Sequence, residues 1–219
     1  MDLVVISDLH LGSSYCLRDK LLKFLRELPD GPDLVLNGDV IDRWTKELSP
    51  EDEEVMTLLR DECSRRRVFW LPGNHDKMCR IECPTGDIEF AENIPVEGRL
   101  FISHGDGFDN MLSYGRPITA MLRWLYRIRL KLGCKPMHVA TYGKTWPRLY
   151  DIIRLHVLHN AVMFALRKGY PAITCGHSHF AEDTVVKGVR YINTGAWTEL
   201  PAYAVWVTDN EIRFEQVSS

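Results

Sequence analysis

Five short stretches of this 219-residue chain carry side chains that bind cations. They are Ser7-Asp8-Leu9-His10, Asn37-Gly38-Asp39, Gly73-Asn74-His75-Asp76, Ser103-His104-Gly105-Asp106 and Gly176-His177-Ser178-His179. Carboxylate, imidazole and amide oxygen suit hard-to-borderline divalent ions such as Mn, Fe, Zn or Mg, and no thiolate stands among them to select a softer metal. Asp-x-His alone is common by chance. Gly-Asn-His-Asp and Gly-His-Ser-His are more specific, and all five in this order are far more so. The glycines let the backbone turn sharply after a strand and let a metal or phosphate come close.

Each stretch follows an apolar run that must place it. Leu3 to Ile6, Leu34 to Leu36, Val68 to Leu71, Leu100 to Ile102 and Ala172 to Thr174 read as strands. If these are core strands, the polar tips gather along one rim, where α/β proteins build their sites. Leu17 to Leu28 has apolar residues at helical spacing and is ended by Pro29-Asp30-Gly31-Pro32. Ser49, Pro50 and Asp52 predict a capped helix start, continuing to about Arg65. Ile118 to Leu132 and roughly Leu149 to Arg167 are helical in pattern, with Pro136 and Pro147 breaking the stretch between them. Short strands at 184–186, 190–193, 203–207 and 212–214 close the chain, with bends at Lys187-Gly188 and Asp209-Asn210. The expectation is one α/β domain over 1–219, β-rich at its end, with a helical insertion near 110–170.

The net charge of −3 conceals an asymmetry. Residues 110–170 hold eleven basic residues and a single acid, Asp151, within a chain whose totals are 27 basic and 30 acidic. An abrupt shift of this kind gives the segment its own role. Its cations alternate with Met111, Leu112, Met121, Leu122, Trp124, Leu125, Tyr126, Ile128, Leu130 and Leu132. Three readings follow: a surface for anionic headgroups and acyl chains, a platform of Arg and stacking aromatics for nucleic acid, or a solvated hairpin whose apolar face packs on the core. His138 reads as structural, and His156 with His159 as a helical pair that the motif histidines make superfluous. Asp42 and Arg43 read equally as groups behind the site or as a salt-bridged loop. The six cysteines include no C-x-x-C pair, so the thiols, Cys79 and Cys83 among them, are expected to be reduced in a cytosolic protein. Met1 leads at once into a strand, so no signal peptide is expected, and no run of about eighteen apolar residues suggests a bilayer span.

The pattern D-x-H, G-D, G-N-H-[DE], H and G-H-x-H resembles that of the calcineurin-like metallophosphoesterases, from Asp8 to His179. The resemblance implies an α/β fold of two sheets sandwiched between helices, four layers αββα, with the insertion as a lid. It implies two divalent ions, Mn first among them, with Asp8, His10 and His179 holding one, Asn74, His104 and His177 the other, and Asp39 bridging. His75 would act on the phosphate and leaving oxygen, and Asp76 would orient His75. Asn74 and His75 on the rim, with Arg123 and Arg127 on the insertion, are the candidate substrate contacts. His104-Gly105-Asp106-Gly107-Phe108-Asp109 before the insertion and Asn193-Thr194-Gly195-Ala196-Trp197 after the last motif are similar to the UDP-2,3-diacylglucosamine pyrophosphatase group. That group cleaves a nucleotide-linked diacyl sugar to UMP and a lipid phosphate in lipid A biosynthesis, which implies a cytoplasmic protein lying peripherally on the inner membrane. The best-known branch has Arg where this chain has His75. The alternatives are a soluble phosphodiesterase or nuclease and, in another class, a non-catalytic binding scaffold.

Overall fold

β1 (Leu3–Ile6) is apolar at every position because both of its faces are covered. Val4 and Ile6 turn toward α1 (Arg18–Glu27) and α2 (Pro50–Glu62), while Leu3 and Val5 turn toward a second sheet. The structure, a computed structural model, describes residues 2–43, 47–77, 88–110 and 117–218. Cys79, Cys83, Met111 and Leu112 and the side chain of Arg123 lie outside what it describes. Among the described residues Cys16, Cys63, Cys134 and Cys175 form no disulfide with one another.

The first sheet adds β2 (Asp33–Asn37), β3 (Val68–Leu71), β4 (Glu89–Phe90), β10 (Tyr203–Val207) and β11 (Ile212–Gln216), in the order β11-β10-β1-β2-β3-β4. The second contains β5 (Ile94–Val96), β6 (Leu100–Ile102), β7 (Ala172–Cys175), β8 (Glu182–Val186) and β9 (Val189–Asn193), in the order β5-β6-β7-β9-β8. Leu100 and Ile102 face the first sheet, whereas Phe101 between them faces outward. Within the first sheet β1, β2 and β3 run parallel, as do β6, β7 and β9 in the second, so each set ends on one edge.

α2 starts as its sequence dictates: the Ser49 side chain accepts from Asp52 N–H and Pro50 takes the first helical position. It stops at Glu62, short of Arg65. After the described stretch to Asn110 come α3 (Pro117–Lys131), the short α4 (Val139–Lys144) and α5 (Pro147–Lys168). α5 corrects the reading of 110–170 as a single lid. Its Leu158, Ala161, Val162 and Ala165 pack on Phe101, Ile173 and Tyr191, so it forms the fourth layer of the sandwich. Its length and composition would suffice to cross a bilayer, contrary to the sequence expectation, but the apolar stripe is spent on the second sheet. Gly169, at φ +78, ends it in the left-handed conformation, with Tyr170 N–H returned to Ala165 C=O. Only α3 and α4 remain outside the layers. α3 leans on α4 through Tyr126, whose ring lies 5.2 Å from that of Tyr142 and whose hydroxyl donates to Met137 C=O.

Candidate metal centre

The parallel strands deliver the expected side chains to one edge. β1 ends at Asp8 and His10, β2 at Asp39 and β3 at Asn74. Across the sandwich β6 ends at His104, and β7 at His177 and His179. Asp8, His10, Asp39, His177 and His179 all have left-handed backbones, with φ between 51 and 61. That conformation is sparsely populated by residues with a Cβ and costs on the order of 1–3 kcal/mol each, so it persists where the surroundings impose it. Here the imposing contacts are backbone hydrogen bonds between strand ends: Asp8 N–H to Gly38 C=O, His10 N–H to Asp39 C=O, Gly176 N–H to His104 C=O.

Two adjoining donor sets result. In the first, His179 Nε2 lies 3.1 Å from Asp8 Oδ1 and 3.2 Å from His10 Nε2, and His10 Nε2 lies 4.0 Å from Asp39 Oδ2. In the second, the same Asp39 oxygen lies 3.4 Å from His104 Nε2, and His177 Nδ1 lies 2.8 Å from Asn74 Oδ1. Asp39, His104 and His177 can reach one ion together, as can Asp8, His10, Asp39 and His179. Asp39 thus faces both sets. Donor atoms about 3 Å apart are spaced as they are around an ion bonded at about 2.0–2.2 Å.

The chemistry of the donors fits a divalent cation. His104 Nδ1 must donate to Asn37 C=O, since a carbonyl only accepts, so buried Nε2, facing Asp39, is the nitrogen that a cation can engage by displacing its proton. Burial alone would lift the Asp39 carboxyl, yet His104 beside it holds it well below the ordinary carboxylate range. Burial would lower His104, yet Asp39 and Asp8 raise it well above a normal imidazole. A buried pocket that so favours positive charge is suited to cations. His177 is fixed from behind, Nε2 lying 2.9 Å from buried Asp109, the arrangement of carboxylate, imidazole and metal that fixes a ring's tautomer.

Gly38 and Gly105, at φ +86 and +108, make the sharp turns read in the sequence, whereas Gly73 and Gly176 do a different job. A Cβ on Gly176 would sit 2.2 Å from Asp8 Oδ2, and one on Gly73 would sit 2.2 Å from Asp39 Oδ1. Their missing side chains make room for the carboxylates of a neighbouring strand end. The Asn193-Thr194-Gly195 stretch braces the same loop: Asn193 Nδ2 donates to Gly176 C=O and the Ser178 hydroxyl, and Trp197 N–H donates to Asp8 C=O.

His75 is 38% exposed at the rim. Its backbone N–H donates to Asp39 Oδ1 and its ring Nδ1–H to Asp42 C=O at 2.8 Å, which leaves Nε2 to face outward. Asp76 does not orient His75. It turns back beneath the turn and accepts from Gly73 N–H, Val40 N–H and Trp70 Nε1–H, tying the ends of β2 and β3 together. Burial, with Asp39 beside it, pushes its carboxyl up to about 6. This group's contribution to the stability of the cation-free protein is therefore full below its unfolded value of 3.8 and is lost as pH rises through about 6. Asp76→Ala leaves three buried donors without an acceptor, at about 1–3 kcal/mol each. Thermal unfolding in EDTA should show a midpoint at least about 6 °C lower, from a loss of about 3 kcal/mol or more.

Asp42 settles as a supporting group, its Oδ1 3.3 Å from His10 Nδ1. His138, read as structural, caps α4 with its ring, stacks on His179 at 5.3 Å and meets His10 at a tilt at 5.0 Å. Burial and the neighbouring His179 and His10 push it down to about 3. Neither role, nor that of Asp109, had a decisive local signal, because the partners lie far away in sequence. Arg127 stands exposed on α3 and has no part in the hydrogen bonds and ion pairs of the site among the described residues. His156 bonds to Asn160 one turn on, rather than joining His159 around an ion.

Two mixed sheets between helices, with two cation-binding sets sharing a carboxylate at one edge, define a metal-dependent hydrolase. The chain belongs to the calcineurin-like phosphoesterase family, whose model matches residues 1–181. It is 28% identical over 240 residues to a protein named DNA polymerase II small subunit from Methanothermobacter thermautotrophicus, covering 88% of this chain and 46% of that protein. The protein of that name from Thermoplasma acidophilum is 24% identical over 243 residues, covering 90% and 45%. The chain thus spans about half the length of these curated relatives. Among solved structures it is similar to a phosphoesterase from E. coli, at 14% identity, TM-score 0.49 and full coverage of both chains. A structure described as an archaeal phosphodiesterase gives 15% identity, TM-score 0.49 and 99% coverage of each chain.

Proposed function

We propose that this enzyme hydrolyses the pyrophosphate of an amphiphilic nucleotide-linked substrate, of the UDP-diacylglucosamine type, at the cytoplasmic face of a membrane, releasing UMP and a lipid phosphate. The observation that carries this reading is the exposed apolar surface of the cationic insertion. Met121, Trp124 and Leu130 on α3 and Leu132 just after it face solvent, Trp124 at 60% and Leu132 at 76%, and Trp146 is exposed beside α5. Large apolar side chains interleaved with Arg and Lys suit an interface of acyl chains and anionic headgroups. Asp8, His10 and His179 would hold one divalent ion, Asn74, His104 and His177 the other, and Asp39 both. Mn is the first choice, with Fe, Zn and Mg as alternatives. When bound, such a pair supplies Lewis acidity and a nucleophile at neutral pH. His75 Nε2 would meet the phosphoryl group and protonate the leaving oxygen, while Asp42 C=O holds its ring in that tautomer. Arg123 and Arg127 would meet the substrate's phosphates from the insertion.

Nucleic acid is the second reading. The relatives' name, DNA polymerase II small subunit, favours it, and the basic insertion would grip a phosphate backbone. One panel separates the two. With added Mn, UMP release from UDP-2,3-diacylglucosamine should exceed turnover of single-stranded DNA, RNA and cyclic nucleotides, and should respond weakly to salt. No UMP release, beside DNA cleavage that falls steeply with salt, would replace the lipid reading with the nuclease.

A further inference from the structure

The loop that carries His177 and His179 is held from two sides. Core residues satisfy its first carbonyl, through Asn193 Nδ2 to Gly176 C=O at 2.6 Å. The carbonyls of Ser178 and His179 are satisfied by the insertion and the helix that follows it. Tyr150, in the first turn of α5, donates its hydroxyl to Ser178 C=O at 2.6 Å. Lys144, the last residue of α4, donates to His179 C=O at 2.6 Å and pairs with Glu199, which lies beyond the Asn193-Thr194-Gly195 brace. Lys144 also sits over the Tyr150 ring, 5.8 Å from its centroid, so the two donors form one unit. One turn further along α5, Arg154 stacks 4.3 Å over Phe180 and pairs with Glu182.

We infer that Lys144 and Tyr150 are positioning residues that set occupancy of the cation position formed by Asp8, His10 and His179. The inference rests on the proposed reading of those three residues as ligands. His177 and His179 both sit in the left-handed region, so the loop does not take its shape from local preference. The carbonyl of His179 shares its Cα with the imidazole that must meet Asp8 Oδ1, so a bond that holds the peptide plane holds the backbone from which that ring reaches the carboxylate. His177 has its own support in Asp109, outside the Lys144–Tyr150 unit. The effect is therefore selective for one cation of the two. The segment between the fourth and fifth motifs then belongs to the metal centre as well as to the substrate surface, and any ligand that shifts α4 reaches the metal through Lys144.

The test is calorimetric titration of the metal-stripped full-length chain with Mn(II), for the wild type, Lys144→Met, Tyr150→Phe, the double variant and Lys144→Arg, with thermal unfolding of each. The wild type should take up two equivalents. The double variant should bind one equivalent normally and the other about 10–100-fold more weakly, as when supporting partners of metal ligands are removed. Lys144→Arg should recover part of the loss. Unchanged affinities in the double variant overturn the inference, and so does equal weakening of both positions alongside a lowered unfolding midpoint. A wild-type chain that takes up no Mn overturns the ligand reading and the inference with it, whereas failure in the variants alone leaves the ligand reading standing.

Discussion

Asp39→Asn should weaken both cation positions together and bring hydrolysis to background. One oxygen of Asp39 lies 4.0 Å from His10 Nε2 and 3.4 Å from His104 Nε2, so among the described residues Asp39 is the carboxylate common to both donor sets. The substitution keeps the shape and removes the charge. Removing one member of a buried, hydrogen-bonded charge pair costs about 3–5 kcal/mol. At about 1.4 kcal/mol per tenfold, that is two to three and a half orders of magnitude in cation affinity. The second Asp39 oxygen accepts the backbone N–H of His75, and an amide nitrogen turned there would repel it. Metal content after dialysis checks the prediction: two equivalents per wild-type chain, fewer than one in Asp39→Asn. A variant that keeps one tightly bound ion would show that the two positions do not share Asp39. Asp8→Asn, by contrast, should act mainly on one position, since its oxygens lie against the ring nitrogens of His179 and His10 and meet His177 through its backbone N–H.

How much of this was legible follows from which interactions are local. The strand tips could be read because β1, β2, β3, β6 and β7 have interiors buried on both faces and hence mainly apolar, each running within a few residues into a polar tip. Parallel pairing then forces the tips to one edge. Asp76 could not be read, because adjacency in Gly-Asn-His-Asp suggests a pair with His75, whereas the turn from 73 to 76 sends the two side chains opposite ways, one to the rim and one beneath it. The pattern of α5 disclosed a helix but not its neighbour, since an apolar stripe fits a lid and a core layer equally. β4 and β5, of two and three residues, and α4, of six with Gly143 inside, are too short to leave a periodic signal. The bonds from Tyr150 and Lys144 to residues 178 and 179 span 28 and 35 positions, and nothing near either end announces them.

His75→Ala should lower kcat by about two to four orders of magnitude, the usual worth of a positioned acid or base, with both cations retained. The ring approaches His10 edge-on at 4.9 Å but lies outside the two donor sets that share Asp39, and the contact His75 makes to Asp39 is through its backbone N–H, which alanine keeps. KM should change less than kcat, because the ring acts most strongly on charge that develops as the leaving oxygen departs. Asp42→Ala provides the control. Asp42 accepts from His75 with its main-chain carbonyl at 2.8 Å, so losing the side chain leaves that bond and the tautomer of His75 in place; what it removes is a carboxylate 3.3 Å from His10 Nδ1 and, more loosely, 3.6 Å from His75 Nδ1. Burial tends to lower His10, and Asp42 is the leading influence that raises it. Asp42→Ala should therefore act mainly through the cation held by His10, and excess Mn should rescue it. His75→Ala should not be rescued by Mn at any concentration. Equal rescue of both variants would move His75 from the reacting atoms to the support of the metal centre.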